Sequence, residues 1–286
     1  VGLFSKLFRL KSKIVPAVVD GALRGLSGVE GVQAEWARRR VTALLAVGDG
    51  RIDGLNMLAK DILAQPELHS LILVHHDAPP ALEEQWRRWV DSGERLVVLH
   101  SHQPEMGAQL QEAQKLAAGA WVVAISPYAA LPMDALEKLL DAAKTCEEGQ
   151  LAALRIHESW HEALAGFRRG LWRYSARLLL PNLPAEQTKA LPPLLAVIWP
   201  KNTGLDLDAA MAGVPHGAGL NALAWQCALA GKSVKLVHEH AGVAMPQQGL
   251  RQWWGWALSH VKASAPLAHR QFLRLAMRIT VKLEGA

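Results

Sequence analysis

Apolar residues along this chain fall into short continuous runs, separated by polar segments whose apolar positions recur at helical spacing. Three runs stand out: Val41–Val47 (VTALLAV), Leu71–Val74 (LILV) and Trp121–Ile125 (WVVAI). They lack the alternation of a half-exposed strand, so they predict strands buried on both faces. A fourth strand is expected at Arg95–His100 (RLVVLH). Between them, Leu55–Ala64, Ala81–Asp91, Gly107–Ala118 and Pro132–Ala143 carry the period of amphipathic helices, and Pro66 ends the first. The second half continues with strands expected at Gln150–Ile156, Leu194–Trp199 and Ser233–Val237. Helices are expected there at His157–Leu180, Leu205–Ala212, Gly219–Ala230 and Gln248–Ala263, with the proline-rich stretch Pro181–Pro193 as a loop. This β-α-β-α rhythm predicts an α/β fold with a mostly parallel, Rossmann-like sheet covered by helices on both faces. Ligands on such sheets bind beyond the carboxyl ends of the strands. The loops Gly48–Gly50 (GDG), His75–Pro80 (HHDAPP) and Ser126–Ala130 (SPYAA) fall there and form the first candidate site.

The two ends of the chain read differently. Leu3, Phe4, Leu7, Leu10 and Ile14 lie near one helical face, with Lys6, Arg9, Lys11 and Lys13 elsewhere. The stretch from Arg270 to Lys282 repeats the pattern. Such basic amphipathic helices suit the surface of an anionic membrane, and equally an ordinary face packed on the domain or on a partner. The expected organisation is an N-terminal amphipathic helix and linker (1–40), a sheet domain (41–263) and a C-terminal basic amphipathic helix (264–286). The sheet domain would divide into two halves, 41–145 and 146–263.

Composition adds limits. With 286 residues, half of them hydrophobic, the disordered and fibrous classes are excluded. A net charge of +5 favours anionic partners without choosing among them. Cys146 and Cys227 match no metal or redox spacing and build no disulfide framework, so a cytoplasmic location is expected. No apolar run approaches the ~20 residues of a membrane span.

The order and spacing of these pieces resemble the GT-A glycosyltransferases, in particular the large inverting family that includes polysaccharide synthases. The residues that carry the resemblance run from Val41 to Trp256. Ala46-Val47-Gly48-Asp49 stands at the family's Pro-x-Tyr-Asn-like loop, and Asp61-Ile62-Leu63-Ala64-Gln65 at its Ser-Ile-Leu-x-Gln helix end. His75-His76-Asp77-Ala78 replaces Asp-Asp-Gly-Ser. Gly107, Gln114 and Ala117-Ala118-Gly119 follow the Gly, the helix Asn and the Ala-x-Gly of the family. Ser126-Pro127-Tyr128 stands at Asp-x-Asp, and Pro132–Leu136 at the Pro-x-x-Leu helix. Gly219–Gly231 followed by Ser233–Val237 has the outline of the helix behind the family's Glu-Asp pair. Gln252-Trp253-Trp254-Gly255-Trp256 is similar to the Gln-x-x-Arg-Trp box, with Arg251 displaced to the front.

The resemblance implies a nucleotide-sugar donor, contacted by Asp49, His75, His76, Asp77, Gly107, Ser126 and Tyr128. It places Asn221, Arg251, Trp253 and Trp254 on the acceptor side. It also marks what is missing. The Asp-x-Asp carboxylates of the family hold a divalent cation, and a hard cation wants carboxylate oxygen. Ser126 and Tyr128 are neutral, so no divalent metal is expected, and no other cofactor is implied. The family's base is a carboxylate, and Gly219 and Leu220 hold those positions, with Asn221 adjacent. His76 and Asp77 are then the catalytic candidates. Two readings stay open: a divergent, metal-independent transferase of surface polysaccharide or glycoconjugate assembly, or a non-catalytic domain that binds a glycan or a partner. Either would sit peripheral to the inner face of a membrane, with an anionic membrane surface or a membrane-bound synthase complex as further partner. Nucleic acid is not expected.

One motif competes. His157-Glu158-Ser159-Trp160-His161 fits H-E-x-x-H, which on a helix puts two imidazoles on one face for zinc with Glu158 as general base. Its flanks argue against a zinc protease: Glu162 follows the second His, and Leu164 and Phe167 stand where an extended zinc motif needs Gly and His.

Overall fold

The computed structural model describes residues 40–48, 50–146, 150–155, 194–230, 232, 234–237, 251, 252, 255, 256, 271, 274, 275 and 278. The chain divides into two units, Val1–Arg40 and Val41–Ala286, and every element below belongs to the second. In chain order they are β1 (Val41–Ala46), α1 (Leu55–Leu63), β2 (Leu68–His75), α2 (Pro80–Asp91), β3 (Leu96–His100), α3 (Met106–Leu116), β4 (Trp121–Ile125) and α4 (Ala135–Lys144). Then follow β5 (Leu151–Arg155), β6 (Leu194–Pro200), α5 (Leu207–Met211), α6 (Gly219–Leu229) and β7 (Val234–Val237). Short 3₁₀ turns lie at Lys201–Thr203 and His216–Ala218.

The strands form one seven-stranded sheet in the order β3-β2-β1-β4-β6-β5-β7. All neighbours are parallel except at β6, which runs antiparallel to both β4 and β5. Alternate residues of a strand face opposite sides, and β1 feeds two cores. Val41, Ala43 and Leu45 pack with α1, with Trp86 of α2 and with α4. Leu44 and Ala46 pack with Met106 and Leu110 of α3, with α5, and with Leu220 and Leu223 of α6. This two-sided burial is why β1 reads as an apolar run interrupted only by Thr42.

The expected elements recur with shifted ends. β2 starts at Leu68 rather than Leu71, because His69 and Ser70 extend the strand with half-buried polar side chains that an apolar run does not reveal. α4 starts at Ala135 rather than Pro132, since residues 132–134 form a turn with Ala135 N–H donating to the Pro132 carbonyl at 3.1 Å. Gln65 fixes that turn from the end of α1: its Nε2 donates to the Pro132 carbonyl at 2.8 Å and its Oε1 accepts from Leu136 N–H at 3.3 Å. α5 is shorter than Leu205–Ala212 because Asp206 caps it, accepting from Ala209 N–H at 3.0 Å. The expected N-terminal amphipathic helix and linker up to residue 39, the helix at His157–Leu180 and the loop Pro181–Pro193 lie outside the described residues. Of Gln248–Ala263, Arg251, Gln252, Gly255 and Trp256 are described, all helical. Gln271, Arg274, Leu275 and Arg278 of the C-terminal segment are helical and exposed. Among the described residues no helix is long and apolar enough to cross a membrane.

Candidate functional site

The parallel strands β1, β2, β3 and β4 end on one edge of the sheet. The chain winds outward from β1 to β2 to β3, then returns to place β4 on the other side of β1. The two directions part between β1 and β4, and such a switch point is where an open α/β sheet leaves a crevice.

The β1 loop is built on glycine. Gly48 and Gly50 have φ of 56° and 71°, in the left-handed region that side chains disfavour. His76 N–H donates to the Gly48 carbonyl at 2.6 Å, joining the first two loops. Asp49 lies outside the described residues.

At the end of β2, His75 turns inward and His76 outward. His75 is buried, its ring 5.4 Å from that of Trp86 and 5.2 Å from that of His100. Burial pushes its pKa below the usual 6.5, Glu83 opposing this from 3.7 Å, with His100 adding to the fall. The unfolded chain therefore takes up a proton below about pH 6.5 that the folded protein resists, so the His75 contribution is complete above that pH and falls as pH drops. Urea unfolding at pH 7.5 and 5.5 is expected to show this loss, and His75→Phe to reduce it. An equal loss in wild type and variant would remove His75 as the cause.

His76 is half-buried. Its Nδ1 lies 3.1 Å from the Ser101 carbonyl, which can only accept, so Nδ1 carries a proton. Nε2 then faces Asp77 Oδ2 at 3.3 Å. Asp77 has φ 54°, and its carboxylate is 77% exposed, pointing to solvent at the site edge. His100 lies opposite His75 in the parallel register, and His102 meets the His100 ring edge-on at 5.3 Å. Four imidazoles thus gather at this corner, yet among the described residues no group of three or more His, Cys, Asp or Glu is arranged to hold a metal ion.

The β4 loop is closed inward. Ser126 is 2% exposed and Tyr128 4%. Ser126 N–H donates to the Leu195 carbonyl at 2.8 Å, and its hydroxyl accepts from Tyr128 N–H at 3.3 Å. The Tyr128 hydroxyl accepts from Gln252 Nε2 at 2.9 Å, and Gln252 Oε1 accepts from Gly217 N–H at 2.7 Å. Gln252 therefore bridges the β4 loop and the turn before α6. In that turn the His216 ring lies on Gly48: a Cβ placed there would stand 3.4 Å from His216 Cε1 and Nε2.

The remaining candidates are packing groups or lie elsewhere. Asn221 is buried, its Oδ1 accepting from Leu194 N–H at 3.0 Å. Gly107 sits where α3 meets α5, and a Cβ there would fall 2.6 Å from the Leu207 carbonyl oxygen. Arg251 is exposed, and Trp256 is buried edge-on to Trp225 at 5.6 Å. The side chains of Trp253 and Trp254, and all of His157, Glu158 and His161, lie outside the described residues. The structure thus brings together His75, His76 and Asp77 at one corner, and Ser126 and Tyr128 at another. His100, His102 and His216 were not singled out in the sequence. A signal for the first was present: two strands, LILVH and RLVVLH, each end in histidine.

No family model matches this chain, and no curated protein matches it significantly. Among solved structures, mannosyltransferase PcManGT from Pyrobaculum calidifontis, in complex with GDP-Man and Mn²⁺, is similar over 96% of this chain and 82% of its own, with 14% identity and a TM-score of 0.53. Glucosyl-3-phosphoglycerate synthase from Mycobacterium tuberculosis, in complex with Mn²⁺, UDP and phosphoglyceric acid, is similar over 80% of each chain, with 19% identity and a TM-score of 0.51. These likenesses, with the seven-stranded, mostly parallel sheet and its two helical layers, bear out the expected fold class: this is a GT-A-like α/β fold.

Proposed function

We propose that this chain is a glycosyltransferase-type domain that binds a nucleotide-diphosphate sugar at the β1, β2 and β4 loops without a divalent cation and transfers the sugar with inversion. The observation that carries this reading is the gathering of those loops at the switch point, together with the state of the β4 loop. A cation held as in the resembled family needs exposed carboxylates at the end of β4. Ser126 and Tyr128 are neutral, buried and engaged with each other and with Gln252. They do not fit a metal, and no step is routed through one. The exposed Asp77 carboxylate and the His76 ring, oriented by the Ser101 carbonyl, are the polar groups offered to the nucleoside end of the donor. The relatives in fold were solved with GDP-Man or UDP, which sets the donor class to try first.

Isothermal calorimetry with UDP-glucose and GDP-mannose tests the reading. One of them is expected to bind, with an affinity that changes less than threefold between Mn²⁺ and EDTA. Binding only with Mn²⁺ would sink the metal-free part, and no binding of any nucleotide sugar would sink the whole. We assign the domain to surface polysaccharide or glycoconjugate assembly at an anionic membrane surface. Gln271, Arg274, Leu275 and Arg278 support that placement, because at this spacing they share one exposed helical face. The second reading, a non-catalytic glycan- or partner-binding scaffold, draws support from Asn221, which is buried, neutral and engaged with Leu194 N–H.

A further inference from the structure

We propose that His216 is the catalytic base of this site, taking the proton of the acceptor hydroxyl; this rests on the transferase reading above. Inversion needs a proton acceptor beside the attacking oxygen. Among the described residues, the stretches that close the switch point from the β6 side, 126–131 and 215–229, contain no Asp or Glu. Asn221 is neutral and holds Leu194 N–H. Asp77 and Glu83 stand with the histidines beyond β1, at the end of β2 and on α2.

His216 is placed where such a group is wanted. It opens the 3₁₀ turn before α6, and its half-buried ring rests on Gly48, the first loop residue after β1. Gly48 admits it because it has neither a side chain nor a disfavoured backbone at φ 56°. The backbone on both sides of the ring is fixed. Ala218 N–H donates to the Pro215 carbonyl at 2.8 Å, and Gly217 N–H donates to Gln252, which holds Tyr128 in turn. The imidazole thus rests on the β1 loop, while the backbone beside it is tied through Gln252 to the β4 loop. A donor lying along the β1 loop is flanked by this ring.

In the step, the acceptor oxygen forms a bond to the anomeric carbon from the face opposite the leaving group. The bond from that carbon to the diphosphate oxygen breaks, and its electron pair leaves with the nucleoside diphosphate. The hydroxyl proton passes to His216 and then to water. An imidazole suits the task because its ordinary pKa lies near neutrality.

Water serves as the test acceptor, with release of nucleoside diphosphate from the sugar nucleotide as the readout on the full chain. His216→Gln is expected to bind donor within threefold of wild type and to release product about a hundredfold more slowly. Release within threefold of wild type overturns the proposal, as does donor affinity lost in step with rate, which would make His216 a binding residue. If His216→Gln fails to fold by circular dichroism, His216→Asn decides: donor binding within threefold of wild type and about a hundredfold slower release are expected, and release within threefold of wild type overturns the proposal. Wild type that binds donors but never releases product overturns the base and leaves the nucleotide-binding reading standing. Wild type that binds none removes both.

Discussion

Replacing Trp86 by alanine is expected to lower the unfolding free energy by about 3–5 kcal/mol, the range for truncating a large buried aromatic. Trp86 is fully buried in α2 and is among the largest buried side chains described. Its indole N–H donates to Asn56 Oδ1 at 3.3 Å, and Asn56 Nδ2 donates to Gln85 Oε1 at 2.8 Å, so the ring ties α2 to α1. It also packs on His75 and lies against Gly50 of the β1 loop. The loss is therefore expected to spread to the site corner. With the ring gone, water reaches His75, its desolvation weakens, and the fall in stability below pH 6.5 shrinks. Urea titrations of Trp86→Ala and Trp86→Phe at two pH values measure both effects. The phenylalanine variant, which keeps most of the packing, is expected to lose less than half as much. Equal losses would mean that the hydrogen bond to Asn56, and not the volume, holds the corner.

Gly107→Ala is expected to destabilise by about 1–3 kcal/mol, although alanine is the better helix former by roughly 1 kcal/mol. The added methyl group would meet the Leu207 carbonyl oxygen at 2.6 Å and the Asp208 Cα at 3.1 Å, both backbone atoms of α5. They yield only if α5 moves away from α3. Gly219→Ala makes the contrast. Its methyl group would meet Met106 Sδ at 2.5 Å, the end of a flexible side chain that can change rotamer. A smaller loss is expected there, read from the shift of the urea midpoint in each variant. If Gly107→Ala proved neutral, the close approach of α3 and α5 would not be fixed by that glycine.

Legibility in the sequence followed what each residue touches. β4 came out at Trp121–Ile125, as its apolar run predicts, because it is buried on both faces and contains no polar residue. The start of β2 was read three residues late, since the polar His69 and Ser70 carry no hydropathy signal: Ser70 pairs with Thr42, and His69 lies at an irregularity of the ladder. That β6 runs against its neighbours was not legible at all: an apolar run such as LLAVIW has no direction. The site loops were legible as the ends of runs, and the resemblance named most of their residues. Their partners were not. Tyr128 meets Gln252 across 124 residues, and Gly48 meets His216 through a contact that exists only once β1, β4 and α6 have assembled.

The reversed strand β6 has a consequence for the segment that precedes it. Because β5 and β6 are antiparallel partners, Arg155 and Leu194 pair across the ladder at the same edge as the candidate site. An antiparallel pair needs no more than a two-residue turn to join it. The chain instead departs at Arg155 and rejoins at Leu194 through residues 156–193, which carry His157, Glu158 and His161. Both anchors of that excursion stand at the mouth of the crevice, with the Leu195 carbonyl holding Ser126 and the Leu194 amide holding Asn221. Among the described residues the seven-stranded sheet is complete without it, so the length of that segment is free to differ among chains that keep this framework without cost to these strands.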